Sequence, residues 1–179
     1  MGDLNKYRKI VGKEKIEEIK EKASGIADKH ILNINSTYQG GGVAEILNRL
    51  VPLMNSIGID VGWRILHGTP DFFTTAKKFT NALMGEKIHF TKNKQKVYLE
   101  SCERFSSFTH IYHDAVLIHD VQPLPLIKFY KKKQPWIWRC HSDIENPNKE
   151  VYSYLKRFIQ KYDYAVMPVS YTHLTLPTN

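Results

Sequence analysis

Short, nearly unbroken apolar runs alternate along the chain with stretches in which apolar residues recur every three or four positions. The runs "ILNIN" at 31–35, "IDVGWRILHG" at 59–68, "DAVLIHD" at 114–120, "PWIWRCH" at 135–141 and "YAVMPVS" at 164–170 predict buried strands. Between them the spacing predicts helices. A polar one covers 12–28, and 43–58 forms an amphipathic one with Ile46, Leu47, Leu50 and Met54 on one side and Gly58 at its end. Pro70 in the first turn and Gly85 after the last mark a helix over 70–85, and another covers 91–112. "PLPLIKFYKKK" at 123–133 predicts a further helix, and 146–163 one opened by an Asn and Pro pair. Strands separated throughout by helices predict the α/β class: a Rossmann-like parallel sheet with helices on both faces and right-handed crossovers. No internal repeat or low-complexity linker interrupts residues 1–169. "SYTHLTLPTN" at 170–179 continues neither rhythm and reads as a non-native tail.

Composition narrows the class further. With 179 residues, 42% of them hydrophobic, the chain can bury the core of one domain. No run approaches the roughly 18 apolar residues of a membrane span. The charged start "MGDLNKYRKIVGKEKIEEIK" is unlike a secretory signal, so a cytoplasmic location without a membrane partner is expected. Cys102 and Cys140 lack zinc-ligand or CxxC spacing and read as free buried thiols. The net charge of +8 would suit a phosphate-bearing partner. Its distribution argues against nucleic acid, because "GKEKIEEIKEK" mixes both signs as a solvated helix face does. "KKK" at 131–133 falls at a predicted helix end, where cations suit the dipole.

Candidate chemistry gathers where strands are expected to end. Gly40, Gly41 and Gly42 lie between the first strand and its helix, the place where doubly wound sheets bind ligands. Unpaired N–H groups there can hold a phosphate or meet sugar hydroxyls; a merely tight turn is the alternative. The loop has neither GxGxxG nor GK[ST], which weakens the dinucleotide, NAD-dependent oxidoreductase and NTPase readings. "LIHDVQP" places His119, Asp120 and Gln122 after one strand, and "WIWRCHSD" places Arg139, His141, Ser142 and Asp143 after another. His141 taken alone suits a core histidine equally well, and Asp120 a helix N-cap before Pro123. Their shared position at strand ends favours a site.

"NSTYQGGGVAEIL", "LIHDVQP" and "PWIWRCHSDIENPN" together resemble the N-terminal half of the trehalose-synthesising glycosyltransferases, retaining enzymes of the GT-B type in family 4. "VPLMNSIGIDVGWRIL" and "PDFFTTAKKFTNALMG" fit the same group, so the resemblance covers roughly residues 7–167. It points to the trehalose synthases that join glucose to the glucosyl group of a nucleoside-diphosphate glucose, with fungal-type trehalose phosphorylases as neighbours.

The resemblance implies two Rossmann-like domains facing across a cleft, of which this chain is the acceptor-binding first; the donor-binding C-terminal domain is missing. It implies that Gly41 and Gly42 line the cleft near the donor phosphates, with Gly40 in the same loop, and that Asp120 binds acceptor hydroxyls beside Gln122 and Arg139. It also implies that His141 approaches the donor glucose and the reacting centre as the catalytic residue. The expected partners are nucleoside-diphosphate glucose and glucose, with no resident cofactor or metal site beyond a magnesium ion that can accompany the nucleotide sugar. A homo-oligomer is compatible with the chain. Two loops depart from the family pattern: "HDVQP" stands for HDPQP and "CHSD" for CHID. Because half the machinery is missing, the fragment alone is expected to be inactive. The competing expectation is a non-catalytic sugar- or phosphate-binding module, or one subunit of a two-chain assembly.

Overall fold

The computed structural model describes residues 3–142, 144 and 146–168; Asp143, the end of the last expected strand at 169–170 and the tail at 170–179 lie outside the described residues. A 3-10 turn at Leu4–Tyr7 leads into α1 (Arg8–Ser24), followed by β1 (His30–Asn35), α2 (Gly42–Ser56) and β2 (Asp60–Ile65). Then come α3 (Pro70–Leu83), α4 (Lys92–Phe108), β3 (Ala115–His119) and a 3-10 turn at Leu124–Lys128. β4 (Trp136–Arg139), α5 (Lys149–Ile159) and β5 (Tyr164–Val166) complete the described chain. All four strand pairings are parallel and the order is β2-β1-β3-β4-β5. This is the α/β, Rossmann-like sheet that the alternation predicts. The chain moves outward from β1 to β2, then returns past β1 to β3. The carboxyl ends of β1 and β3 therefore flank the topological switch point, where such sheets open a ligand crevice.

Alternation along each strand divides the core. Leu32, Ile34, Val116, Ile118, Trp136 and Trp138 point to one face and are fully buried, in one cluster with Phe72 and Phe79 of α3, Tyr98 of α4 and Leu155 of α5. On the other face Ile31 and Val61 pack with Ala23 of α1 and Val51 and Met54 of α2. That second face carries polar residues further up: Asn33 and Asn35 on β1, and His119 at the end of β3, all buried. Cys102 and Cys140 are free and buried, and burial pushes the Cys140 thiol up to about 12.

Several boundaries differ from the expectations. The largest difference is at 123–133, where an eleven-residue helix is expected and the described structure has only the 3-10 turn Leu124–Lys128. Pro123 and Pro125 lack N–H groups, and Leu124, Pro125, Leu126 and Ile127 are all buried, which leaves no polar helix face for solvent. Lys131–Lys133 consequently sit in a loop; Lys132 pairs with Asp163 at 2.7 Å. α4 stops at Phe108, because Thr109 turns extended at φ −117°. α1 starts earlier than expected and kinks at Gly12, whose φ is +82°. Its Lys and Glu side chains form the anticipated solvated face, with Glu18 held between Lys15 and Lys22 at 2.6 and 2.7 Å. Asn148, not the preceding Asn–Pro pair, caps α5 by accepting from the N–H groups of Glu150 and Val151. On α2, Ile46 is exposed and Ala44 joins Leu47 on the buried stripe.

Candidate functional site

The site starts from the backbone at the end of β3. Asp120 has φ +61°, the left-handed region, and is the one non-glycine residue there among those described. Asp is one of the few residues that tolerate this conformation, and three hydrogen bonds hold it. Its N–H donates to the Arg139 carbonyl at 2.9 Å, its carbonyl accepts from Trp138 Nε1 at 2.9 Å, and its Oδ1 accepts from the His141 N–H at 2.7 Å. Asp120 is therefore no helix cap. It ties the end of β3 to the end of β4 and sets where His141 stands.

The following loop is braced from below. Tyr98 Oη donates to the Val121 carbonyl, Cys102 Sγ to that of Gln122 at 3.6 Å, and Tyr162 Oη to that of Leu124 at 2.7 Å. All three donors are buried, so the loop rests on rigid helices and core.

His141 is half-buried, with its Nε2 3.0 Å from Nδ1 of His119 and the two rings stacked at a centroid distance of 5.4 Å. His119 in turn places Nε2 2.9 Å from Oδ1 of Asn33. Burial, reinforced by His141 and the Arg139 charge, lowers the His119 pKa to about 3. Burial also lowers His141, against the Asp120 carboxylate, which favours its charged form. Burial raises Asp120, offset in part by the N–H of His141. Asn35 completes the polar row: its Oδ1 accepts from Trp63 Nε1 at 2.7 Å and its Nδ2 donates to the Thr37 carbonyl at 2.8 Å.

Asp120, Arg139 and His141 thus come together directly, Arg139 through its backbone while its side chain is exposed. Gln122 enters through its carbonyl, from a half-buried position in the same loop. The three glycines stand at the same sheet edge, beyond β1. Gly40, at φ +75°, supplies the left-handed residue the turn needs. Gly41 is extended at φ −175° and precedes α2 without a capping side chain, and Gly42 begins the helix. A methyl group on Gly41 or Gly42 would meet nothing within 4 Å, so packing within this chain does not require glycine at either position. Gly42 borders an open hollow of about 950 Å³ with Glu45, Ile46, Asn48 and Arg49. Another hollow, of about 660 Å³, lies among Tyr112, His113, Asp114 and Pro135 at the opposite ends of the strands, away from this chemistry. Asn33 is absent from the expected site residues, and His119, expected among the polar groups at the strand ends, has no role assigned to it there. Two Asn at alternate positions of an otherwise apolar strand are the signal that marks Asn33. Among the described residues no group of three His, Cys, Asp or Glu side chains forms a metal-ligand set, and no helix is long and apolar enough to cross a membrane.

Residues 33–172 match the family described as trehalose synthase, N-terminal domain. The chain is 49% identical over 162 residues to the trehalose synthase of Thermococcus litoralis, covering 89% of this chain and 39% of that protein. It is 38% identical over 169 residues to the trehalose synthase of Rubrobacter xylanophilus, covering 91% of this chain and 41% of the relative. The trehalose phosphorylase of Pleurotus sajor-caju is 28% identical over 193 residues, with 94% of this chain and 26% of the relative covered. The chain therefore spans about two-fifths of the length of the trehalose synthases it matches.

Proposed function

The chain belongs to the family of trehalose synthase N-terminal domains, and from that premise we propose that it is the acceptor-binding half of a retaining glucosyltransferase making trehalose from a nucleoside-diphosphate glucose and glucose. The observation that carries this reading is the bond between Asp120 and the backbone of His141, which sets a carboxylate beside an imidazole at the switch point of the sheet.

Each group has a role suited to its chemistry. One lone pair of Asp120 Oδ1 is engaged by the His141 N–H, and the rest of the carboxylate accepts hydrogen bonds from acceptor-sugar hydroxyls. His141, near the anomeric carbon, stabilises oxocarbenium-like charge, and the N–H groups at the start of α2 after Gly41 meet the diphosphate. Gln122 and the Arg139 side chain complete the sugar-binding edge. The leaving diphosphate takes the acceptor proton. Donor base and ribose are read by the C-terminal domain, so this chain alone does not turn over. A sugar- or phosphate-binding module, or a subunit completed by another chain, is the competing reading.

The test is to extend the chain through its natural gene and assay trehalose formation from several nucleoside-diphosphate glucoses with glucose. Activity in the extended protein and none in the 179-residue chain is expected. An inactive, folded extended protein would favour the binding module.

A further inference from the structure

Asn33 costs the fold something: a buried amide in the middle of a strand must be satisfied or destabilise it. Its Oδ1 is engaged by His119, and the proton count of that bond reaches the ligand side of the site. We propose that Asn33 and His119 are positioning residues that hold His141 in a single tautomer, protonated on Nε2, so that its Nδ1 is a hydrogen-bond acceptor and reads a sugar hydroxyl rather than a phosphate oxygen. This rests on the reading of His141 as a ligand-facing group.

The direction of the chain follows from atom types. Asn33 Oδ1 can only accept, so His119 Nε2, 2.9 Å away, carries the hydrogen. A neutral imidazole has one N–H, which leaves His119 Nδ1 as an acceptor. Burial keeps His119 neutral at ordinary pH, with its pKa near 3. Its partner at 3.0 Å, His141 Nε2, must then donate, and the remaining nitrogen of His141 keeps its lone pair. The stacked rings, 24° apart in plane, and the Asp120 bond to the His141 backbone fix the orientation as well as the tautomer. Among the described residues the charged groups acting on His141 are the Asp120 carboxylate and the Arg139 guanidinium, which oppose each other, and burial favours the neutral ring. A phosphate oxygen, lacking a hydrogen, finds no partner at Nδ1; a hydroxyl does.

The experiment is long-range ¹H–¹⁵N correlation of the histidine ring nitrogens in ¹⁵N-histidine-labelled protein at neutral pH. In the 179-residue chain, His119 and His141 should both show a protonated Nε2 and an unprotonated Nδ1. A His141 protonated on Nδ1, or averaging between tautomers, overturns the proposal without any variant. Asn33→Leu should release His141 into a mixture of tautomers, whereas Asn35→Leu, which removes the neighbouring amide bonded to Trp63 instead, should leave it unchanged. An unchanged His141 in Asn33→Leu overturns the role of Asn33. In the longer enzyme, glucose or nucleoside-diphosphate glucose should shift the Nδ1 resonance and sulfate, a tetrahedral anion that carries no hydrogen at neutral pH, should not. A shift with sulfate, or none with either sugar, overturns the hydroxyl assignment. The tautomer readout needs no turnover, so it fails or holds separately from the glucosyltransferase reading.

Discussion

Each end of the sheet holds a histidine pair and a fully buried tryptophan, and the two ends treat their polar atoms differently. At the amino ends of the strands, His30 and His113 have ring centroids 4.1 Å apart, and among the described residues His113 Nδ1 and Trp136 Nε1 find no hydrogen-bond partner. At the carboxyl ends, His119 uses both ring nitrogens, and Trp138 Nε1 donates to the Asp120 carbonyl. Burial lowers the pKa at both ends, to about 4 for His113 and about 3 for His119. A displaced pKa therefore does not mark the end that carries the candidate site. What distinguishes it is a directional series of donors and acceptors that specifies where each proton sits.

The comparison would break most sharply if the carboxyl end could be altered without affecting the reaction. In the longer enzyme, Gly41→Ala adds a methyl group at an extended, unobstructed backbone position, so stability should stay within about 0.5 kcal/mol. kcat/KM should fall on the order of a hundredfold if the backbone there meets a ligand. Measuring both substrates alongside urea midpoints checks this; unchanged kinetics would make the triplet only a turn.

The amino end should show itself in acid. His113 is neutral when folded and its ordinary pKa of 6.5 returns on unfolding, so the unfolded chain binds the extra proton and stability is lost as pH falls from about 6.5 towards 4. His30 and Arg64 add to this by repelling the proton, and Asp60 and Asp114 oppose them. His113→Phe should remove on the order of 2 kcal/mol of the acid-induced loss between pH 7 and 4.5, measured by urea unfolding. His119 contributes a slope of the same sign that the variant leaves in place.

The tryptophans sharpen the contrast within one strand. Trp136→Phe deletes an N–H that has no partner, while Trp138→Phe leaves the Asp120 carbonyl without its donor. Trp138→Phe should cost about 1–2 kcal/mol more than Trp136→Phe in paired denaturation curves. The smallest effect belongs to Gly40→Ala, at φ +75° in open space, which should cost about 1 kcal/mol through the backbone alone.

The alternation of apolar runs and helical periods is enough to anticipate five parallel strands, because the central runs of β1 and β3 are largely buried in a sheet flanked by helices, although β5 at the edge leaves Tyr164 and Val166 exposed. Residues 123–133 misled because Leu124, Ile127 and Lys128 follow a helical spacing. The carbonyls of Val121, Gln122 and Leu124 are instead taken by Tyr98, Cys102 and Tyr162, and no local pattern shows those bonds. The strand-end rule located Asp120 and His141 together, but it said nothing of the left-handed backbone at Asp120. Asn33 was hidden for another reason: "ILNIN" reads as a buried strand, and only the register with β3 shows that its amide meets His119.

The left-handed backbone at Asp120 also governs which residues can ever stand there. In a saturation library at position 120 selected for folding alone, Gly, Asn and Asp should predominate, because a Cβ at φ +61° excludes branched and bulky side chains whatever they bind. Gly would lose the acceptor for the His141 N–H, and Asn would keep an oxygen there without the charge. Under a second selection for sugar transfer, Asp should separate from Asn by what the negative charge adds, and Asn from Gly by what the bond to His141 adds. A single codon thus resolves three demands on the chain: backbone shape, placement of a neighbour, and charge.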